Sequence, residues 1–205
     1  GQGVVAGINA ASLDPFILDR SQGYIGVMID DLITFGASEP YRVLTSRSEY
    51  RLSLRADNAD LRLSKVAIAR GLLSDSQTEL FEKKLDLLNA GRDKLHQLSV
   101  TPSKLVSHGI NLAQDGVRKS AFRLLANPKI SFAQIIPVWP ELEEMPEEIS
   151  SCLVTEAKYQ FYLLRQSEDI RLFKEYESFE IPVDIDYDSI ESLSNEVKEK
   201  LGVSR

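Results

Sequence analysis

The chain has few of the residues that build catalytic and metal sites. Its 205 residues include a single cysteine, Cys152, and two histidines, His96 and His108. One cysteine excludes an internal disulfide framework and makes a reducing compartment the default expectation. Neither histidine stands at ligand spacing from other donors, so we expect surface or loop positions for both and no metal site. No apolar run reaches the length that spans a bilayer, and we therefore expect no membrane partner.

Positive charge is scarce as well. The 24 Lys and Arg residues are outnumbered by 31 Asp and Glu residues, which gives a net charge of -7 and a pI near 5.0. Such acidity argues against broad nucleic-acid binding by net charge. A local basic patch is still compatible with it, because screening confines the field of exposed charges to ~8 Å at physiological salt.

One stretch reverses this balance. Residues 40–63, PYRVLTSRSEYRLSLRADNADLRL, contain no lysine but five arginines against three acidic residues, a local charge of +2 (5 − 3). We call this stretch the arginine segment; its arginines are Arg42, Arg47, Arg51, Arg55 and Arg62. Guanidinium groups stay charged at any relevant pH and bind phosphates or carboxylates through two parallel hydrogen bonds. The exclusive use of arginine therefore favours anion recognition.

Two secondary structures are open for the centre of the segment. In a strand, Arg47, Arg51 and Arg55 point to the same side, and in a helix they are four residues apart on one face. Either structure predicts three guanidiniums on one exposed face. The competing interpretation is internal ion pairing, because Glu49, Asp57 and Asp60 lie in the same segment.

Elsewhere the hydrophobic spacing predicts a mostly α-helical chain. It indicates an opening helix with Val4, Val5, Ile8 and Ala11 on one side, and a helix between Tyr24 and Leu32, where continuous apolar runs leave a strand as the alternative. Further helices are predicted from Asn58 to near Gly71, after a cap at Ser74 or Asp75, from Thr101-Pro102, from Glu147 to about Tyr176, and after a cap at Ser194. We expect Trp139 to be a packing anchor and the aromatic residues of the Glu147–Tyr176 helix to lie in the core. Their stripe also contains Cys152, expected to be a buried helix residue.

The arginine segment closely resembles the signature of the MnmG (GidA) family, FAD-dependent enzymes that modify the wobble uridine of certain tRNAs with a 5-carboxymethylaminomethyl-type group. GQGVVAGINAA resembles the last helix of the family's FAD domain, RSQGYIGVMIDDLITFG the segment before the signature, and KYQFYLLRQ with DYDSIESLSNEVKEKL its C-terminal helical region. The resemblance implies the end of an FAD-binding domain (1–13), the signature segment (14–73) and a helical domain truncated at its end (74–205).

The resemblance also implies roles for individual residues. It assigns tRNA binding to Arg42, Arg47, Arg51, Arg55, Arg62, Tyr41 and Tyr50, support of the signature to Asp57, Asn58, Asp60, Asp30 and Asp31, and a flavin contact to Gln2. No residue is assigned a catalytic role. By the resemblance, the family's Gly-rich FAD fingerprint, NAD(P)H-binding insertion and redox-active cysteines all precede Gly1, and Cys152 matches none of those cysteines. The spacing of Gly1, Gly3 and Gly7 is not that of a nucleotide-binding loop.

We therefore expect a piece of a longer enzyme, inactive and without FAD or NAD(P)H when alone. Its implied partners are tRNA, a second copy of the enzyme, and an MnmE-type GTPase that docks mainly beyond Arg205. The mitochondrial matrix is the expected compartment, with the bacterial cytoplasm as the alternative. The alternative function is a non-catalytic helical interaction module whose arginines bind an acidic protein; a steep salt dependence of tRNA binding distinguishes the two.

Overall fold

The computed structural model describes residues 1–180, 182 and 184–203, and it confirms the predicted mostly helical chain. Its helices are α1 (Gln2–Ala11), α2 (Tyr24–Thr34), α3 (Ala59–Ala69), α4 (Asp75–Gln97), α5 (Pro102–Val106), α6 (Ala121–Leu125), α7 (Phe132–Ile135), α8 (Glu147–Glu177) and α9 (Asn195–Val203). Two short strands, β1 (Ser99–Val100) and β2 (Lys119–Ser120), pair antiparallel with Ser99 opposite Ser120. None of the described helices is both long enough and apolar enough to cross a membrane.

The chain divides into two compact units, Gly1–Ser167 and Glu168–Arg205. In the second unit, the last turns of α8 carry ion pairs from Arg171 to Glu168 and Glu175. In the same unit α9 follows a short 3₁₀ turn at Tyr187–Ser189. Within α9 the predicted ion pair between Glu196 and Lys200 is present at 2.6 Å.

Helix α4 provides one wall of the core of the first unit. It begins with a capping box, in which Ser74 Oγ accepts from the backbone N–H of Gln77 and the Gln77 side chain binds back to the cap. Its buried residues include Phe81, Leu88 and Leu95, as the seven-residue spacing predicts. Helix α6, the strand pair and the first half of α8 pack against this stripe. The core also contains the buried residues Leu105, Phe122, Leu124, Leu125, Ile135, Trp139, Leu142, Ile149 and Leu153.

Helix α8 has nearly the predicted bounds, but its predicted buried stripe is wrong. The buried face consists of Ile149, Leu153 and Ala157. Cys152 is only partly buried. Of the aromatic residues expected in the core, Tyr162 is 57% exposed. The reason is that the core ends near Ala157, so the later turns of the helix have fewer apolar neighbours to cover them.

The start of the first unit packs through one close backbone approach. A Cβ at Gly26 in α2 would lie 2.2 Å from the carbonyl oxygen of Asp19, so only glycine fits where the 14–23 loop crosses the helix. In α1 the predicted apolar stripe is buried only at Ile8, whereas Val4 is 60% exposed. The close approach at Gly26 holds the loop that carries Arg20 against α2.

Candidate nucleic-acid interface

From Arg47 to Arg55, the centre of the arginine segment adopts neither the strand nor the helix considered from sequence. The segment contains 3₁₀ turns at Thr45–Arg47 and Ala56–Asn58, with hydrogen-bonded turns between them. Side chains replace regular backbone pairing. Arg55 Nη1 donates to the Leu52 carbonyl at 2.7 Å, and Asn58 Nδ2 donates to the Ser53 carbonyl at 3.0 Å. Such side-chain bonds compete with regular structure and fix the turns instead.

Arg20 fastens the segment to α2. Its Nη1 donates to Asp30 at 2.8 Å and to Asp31 at 2.6 Å. Its Nη2 donates to Glu49 at 2.7 Å and to the Arg47 carbonyl at 3.1 Å. Burial lowers the pKa of Arg20, but its bonds to these three carboxylates more than offset this and raise the pKa overall. Sequence reasoning missed Arg20, although the adjacent Asp30-Asp31 pair on a helix signals that a cation is needed nearby.

Asp31 is the buried centre of this cluster, with only 6% of the residue exposed. The Tyr41 hydroxyl donates to it at 2.6 Å, and Arg47 Nη1 lies 3.5 Å away. The Tyr41 bond, followed by the Arg20 bond and charge, lowers the pKa of Asp31 despite the opposing effect of burial. Burial and then the Asp31 bond raise the pKa of Tyr41. The Arg47 guanidinium also stacks over the Tyr41 ring, 4.8 Å from its centroid.

Arg55 and Arg62 are restrained by their own segment. Arg55 Nε lies 3.0 Å from Asp57, and its side chain is only 22% exposed. Arg62 donates to Asn58 Oδ1 at 2.9 Å and to the Gln22 carbonyl at 2.6 Å. Burial, followed by the charge of Arg55, lowers the pKa of Arg62. The expectation that Arg55 lies on an open face beside Arg47 and Arg51 is therefore wrong, because its guanidinium already binds the Leu52 carbonyl and the Asp57 carboxylate.

Arg42 and Arg51 differ from the other three. Both are exposed, and neither makes a hydrogen bond or an ion pair with any described residue. Internal ion pairing explains only part of the cluster. Asp57 pairs with an arginine of the segment, whereas Glu49 pairs with Arg20.

The remaining predicted residues lie in several places. Asp60 binds Lys84 of α4 at 2.8 Å, and although burial opposes it this bond lowers the pKa of Asp60. Tyr50 is only 8% exposed, which removes its ring from the open surface assigned to it. Gln2 is exposed on α1, where its Nε2 lies 3.9 Å from Met28 Sδ. Among the described residues no group of three or more acidic, His or Cys side chains is arranged to hold a metal.

A second residue that sequence reasoning missed is Gln166 of α8. It is 9% exposed and anchors the turn from the opposite side. Its Nε2 donates to the Glu49 carbonyl at 3.4 Å, and its Oε1 accepts from the Ser53 hydroxyl. The turn that carries Arg51 is thus held at both ends. A polar residue within an otherwise apolar helix face was the available signal.

Two protein-family models match the part of the chain that follows the arginine segment. A family model described as the tRNA modifying enzyme MnmG/GidA C-terminal helical domain matches residues 75–167. A second model, the C-terminal helical bundle of the same enzyme, matches residues 169–205. Residues 169–205 therefore resemble that bundle.

Individual proteins that resemble this chain carry the same family name. An enzyme of Caldicellulosiruptor saccharolyticus, called tRNA uridine 5-carboxymethylaminomethyl modification enzyme MnmG, is 40% identical over 100% of this chain and 34% of its own length. A Bacillus subtilis enzyme of the same name is 39% identical over 98% of this chain and 33% of its own. A crystal structure of Aquifex aeolicus GidA matches with a TM-score of 0.74 and 36% identity, covering 98% of this chain and 32% of that one. The chain thus spans about a third of the relatives' length.

Proposed function

Since this chain belongs to the MnmG/GidA family, we propose that it supplies the tRNA-binding and assembly part of a flavoenzyme. That enzyme would install a 5-carboxymethylaminomethyl-type group on the wobble uridine of tRNA. The name of the relatives supports the reaction. The observation that supports the role of this part is Arg51, an exposed guanidinium with no internal partner among the described residues, on a turn held at both ends.

The turn is well suited to phosphate binding. Its backbone is held by Arg20 at the Arg47 carbonyl and by Gln166 at the Glu49 carbonyl, so only the Arg51 side chain has to become ordered when a ligand binds. Ordering one such side chain costs ~0.5–1.5 kcal/mol, less than folding a mobile loop around the ligand. The binding energy of a charge-assisted hydrogen bond is then mostly retained.

Cofactor binding belongs mainly to other regions in this proposal. FAD and NAD(P)H would be held outside these residues, because the part of the chain described offers only the N-terminal end of α1. No side chain caps that end, so its free N–H groups fit a single contact with an anionic part of the flavin. A Cβ at Gly3 or Gly7 would meet nothing within 4 Å, so these glycines form no tight pyrophosphate cradle. We accordingly derive no catalytic step.

Two protein partners complete the proposal. Residues 169–205 match the helical-bundle model, so this segment would contribute to docking of the MnmE-type GTPase together with residues beyond Arg205. A homodimer of the complete enzyme is the second expected assembly. If the arginines instead bind an acidic protein, the chain is an interaction module.

The test is tRNA affinity of the intact natural polypeptide across a KCl series. Arg51→Ala should weaken binding by ~1–2 kcal/mol and flatten the salt slope by about one phosphate contact. Arg51→Lys should recover only part of the affinity, because an ammonium group cannot make two parallel bonds. The control is Arg123→Ala, which removes the same charge from an exposed position on α6.

The result separates the two functions. Each phosphate contact contributes about −0.7 to −0.9 to the log–log slope of affinity against salt. If Arg51→Ala binds tRNA with the same affinity and slope as Arg123→Ala, the proposed role of the segment is wrong. The acidic-partner interpretation would then be preferred.

A further inference from the structure

Helix α8 lies directly beside the arginine segment. Gln166 contacts the Glu49 carbonyl and the Ser53 hydroxyl, the residues two positions before and two after Arg51. About two turns earlier on the helix, the Tyr159 ring lies 5.7 Å from the guanidinium carbon of Arg55. The turn that presents Arg51 is therefore seated on the 159–166 stretch of α8.

The helix surface next to this contact carries two cations and an aromatic ring. Lys158, Tyr162 and Arg165 are spaced four and three residues apart, which places them on one face of the helix. Tyr162 also lies four residues before Gln166, so this face borders the seat of the arginine turn. Tyr162 is 57% exposed, and the ring of Phe161, itself 75% exposed, stands edge-on to it at 5.9 Å.

The two cations of this face are open to solvent and to a ligand. Lys158 and Arg165 are exposed and make no hydrogen bond or ion pair with any described residue. The half-buried Arg92 of α4, by contrast, is paired with Glu156 of α8 at 2.7 Å. No carboxylate lies three or four residues from Lys158, so no side chain along the helix neutralises its charge.

We propose that this face of α8, defined by Lys158, Tyr162 and Arg165, is a second part of the RNA-binding surface. The two cations contact two phosphates of one strand that are about three nucleotides apart, and Tyr162 stacks on an unpaired base. The inference rests on the proposed function, which concerns Arg51. It adds an aromatic contact, and with it a preference for a single-stranded loop over a duplex, since only unstacked bases can lie on a protein ring.

The dimensions suit such a ligand. Seven residues separate Lys158 from Arg165, which is ~10 Å along the helix at ~1.5 Å per residue. A stacked strand advances ~3.4 Å per nucleotide, so the two cations span about three nucleotides, with Tyr162 between them. An acidic protein surface would use the two charges but would have no need for an exposed ring between them.

The experiment uses the intact natural polypeptide and an unmodified tRNA transcript with a wobble uridine, titrated across a KCl series. Lys158→Ala and Arg165→Ala should each weaken binding about fivefold and reduce the salt slope by about one contact. Tyr162→Ala should weaken binding about tenfold with an unchanged slope, and Tyr162→Phe should bind as the wild type does. The controls Lys129→Ala and Arg123→Ala remove the same charges from exposed positions in and after α6.

Thermal unfolding confirms that each variant is folded before its affinity is compared. If the two α8 cation variants match their controls, the inference is overturned, while the separate result for Arg51→Ala decides the proposed function. If Tyr162→Ala changes the oligomeric state in sedimentation and leaves tRNA affinity intact, the face is a protein interface and the inference is likewise overturned. An anticodon stem-loop that competes better than a blunt duplex of equal length would support it.

Discussion

Replacing Arg20 by alanine should weaken the attachment of the arginine segment to α2. The change removes bonds to Asp30, Asp31 and Glu49 and to the Arg47 carbonyl. The Arg20 side chain is only 12% exposed, so water cannot fully replace these bonds without opening the local structure. The damage should therefore appear both in stability and in the order of the turns that carry the arginines.

The size of the effect follows from the exposure of each carboxylate. Removing one partner of a fully buried ion pair costs ~3–5 kcal/mol. The side chains of Glu49 and Asp30 are 56% and 36% exposed, so both can regain hydration. The Asp31 side chain is 9% exposed, but it keeps its bond to Tyr41. We therefore expect Arg20→Ala to lower the free energy of unfolding by ~2–3 kcal/mol, below the fully buried case.

Urea denaturation measures the effect, and hydrogen exchange of the amides in residues 45–55 localises it. The control is Lys83→Ala, because the Lys83–Glu79 pair has both side chains 67% exposed and should contribute less than ~0.5 kcal/mol. Arg20→Lys should restore only part of the loss, since one ammonium cannot reach all of these acceptors. If Arg20→Ala costs no more than Lys83→Ala, the cluster does not fasten the segment.

Three further predictions concern acid, backbone packing and the thiol. The pKa of Asp31 is lower in the folded state than in the unfolded state, so its contribution to stability is present above the unfolded pKa of ~3.9 and is lost as the pH falls through the folded pKa. The urea concentration at the unfolding midpoint should therefore decrease as the pH is lowered below about 4. This decrease should be less steep in Asp31→Asn. Gly26→Ala should cost ~1–3 kcal/mol because its Cβ would lie 2.2 Å from a carbonyl oxygen, whereas Gly7→Ala, whose Cβ meets nothing, should stabilise α1 by ~0.5–1 kcal/mol in the same assay. Cys152→Ser should cost about 1–3 kcal/mol at most, since the thiol is only partly buried, and leave turnover of the intact enzyme unchanged; a folded but inactive variant would contradict a structural role.

Helices could be predicted from sequence where local signals agree. Ser74 caps α4 and the spacing of Leu88 and Leu95 gives its buried face, so both the start and the orientation of that helix follow from nearby residues. The same reasoning failed for the later turns of α8. Whether Tyr162 is buried depends on how far the core extends, which is set by α4, α6 and the strand pair and not by periodicity along α8.

The arginine segment shows the other limit. Its charge pattern predicts an anion-binding surface, which stays a prediction, but its backbone could not be derived from periodicity because its turns are fixed by distant side chains. Arg20 and Gln166 lie outside the segment, 29 and 117 residues from Glu49, yet both bind it. Contacts at such separations leave no periodic trace in the sequence.

The number of carboxylates near each arginine indicates which arginines are open to a phosphate. Arg20 and Arg47 face three carboxylates, so their cluster carries a formal charge of -1 (2 − 3). A phosphate that approached Arg47 would be repelled by this group and would have to compete with Asp31. Arg51 and Arg42 carry no such opposition from hydrogen bonds or ion pairs among the described residues. We therefore expect Arg20 and Arg47 to hold the turn in place and Arg42 and Arg51 to make any phosphate contacts, so the salt slope should change when Arg51 is replaced and not when Arg47 is replaced.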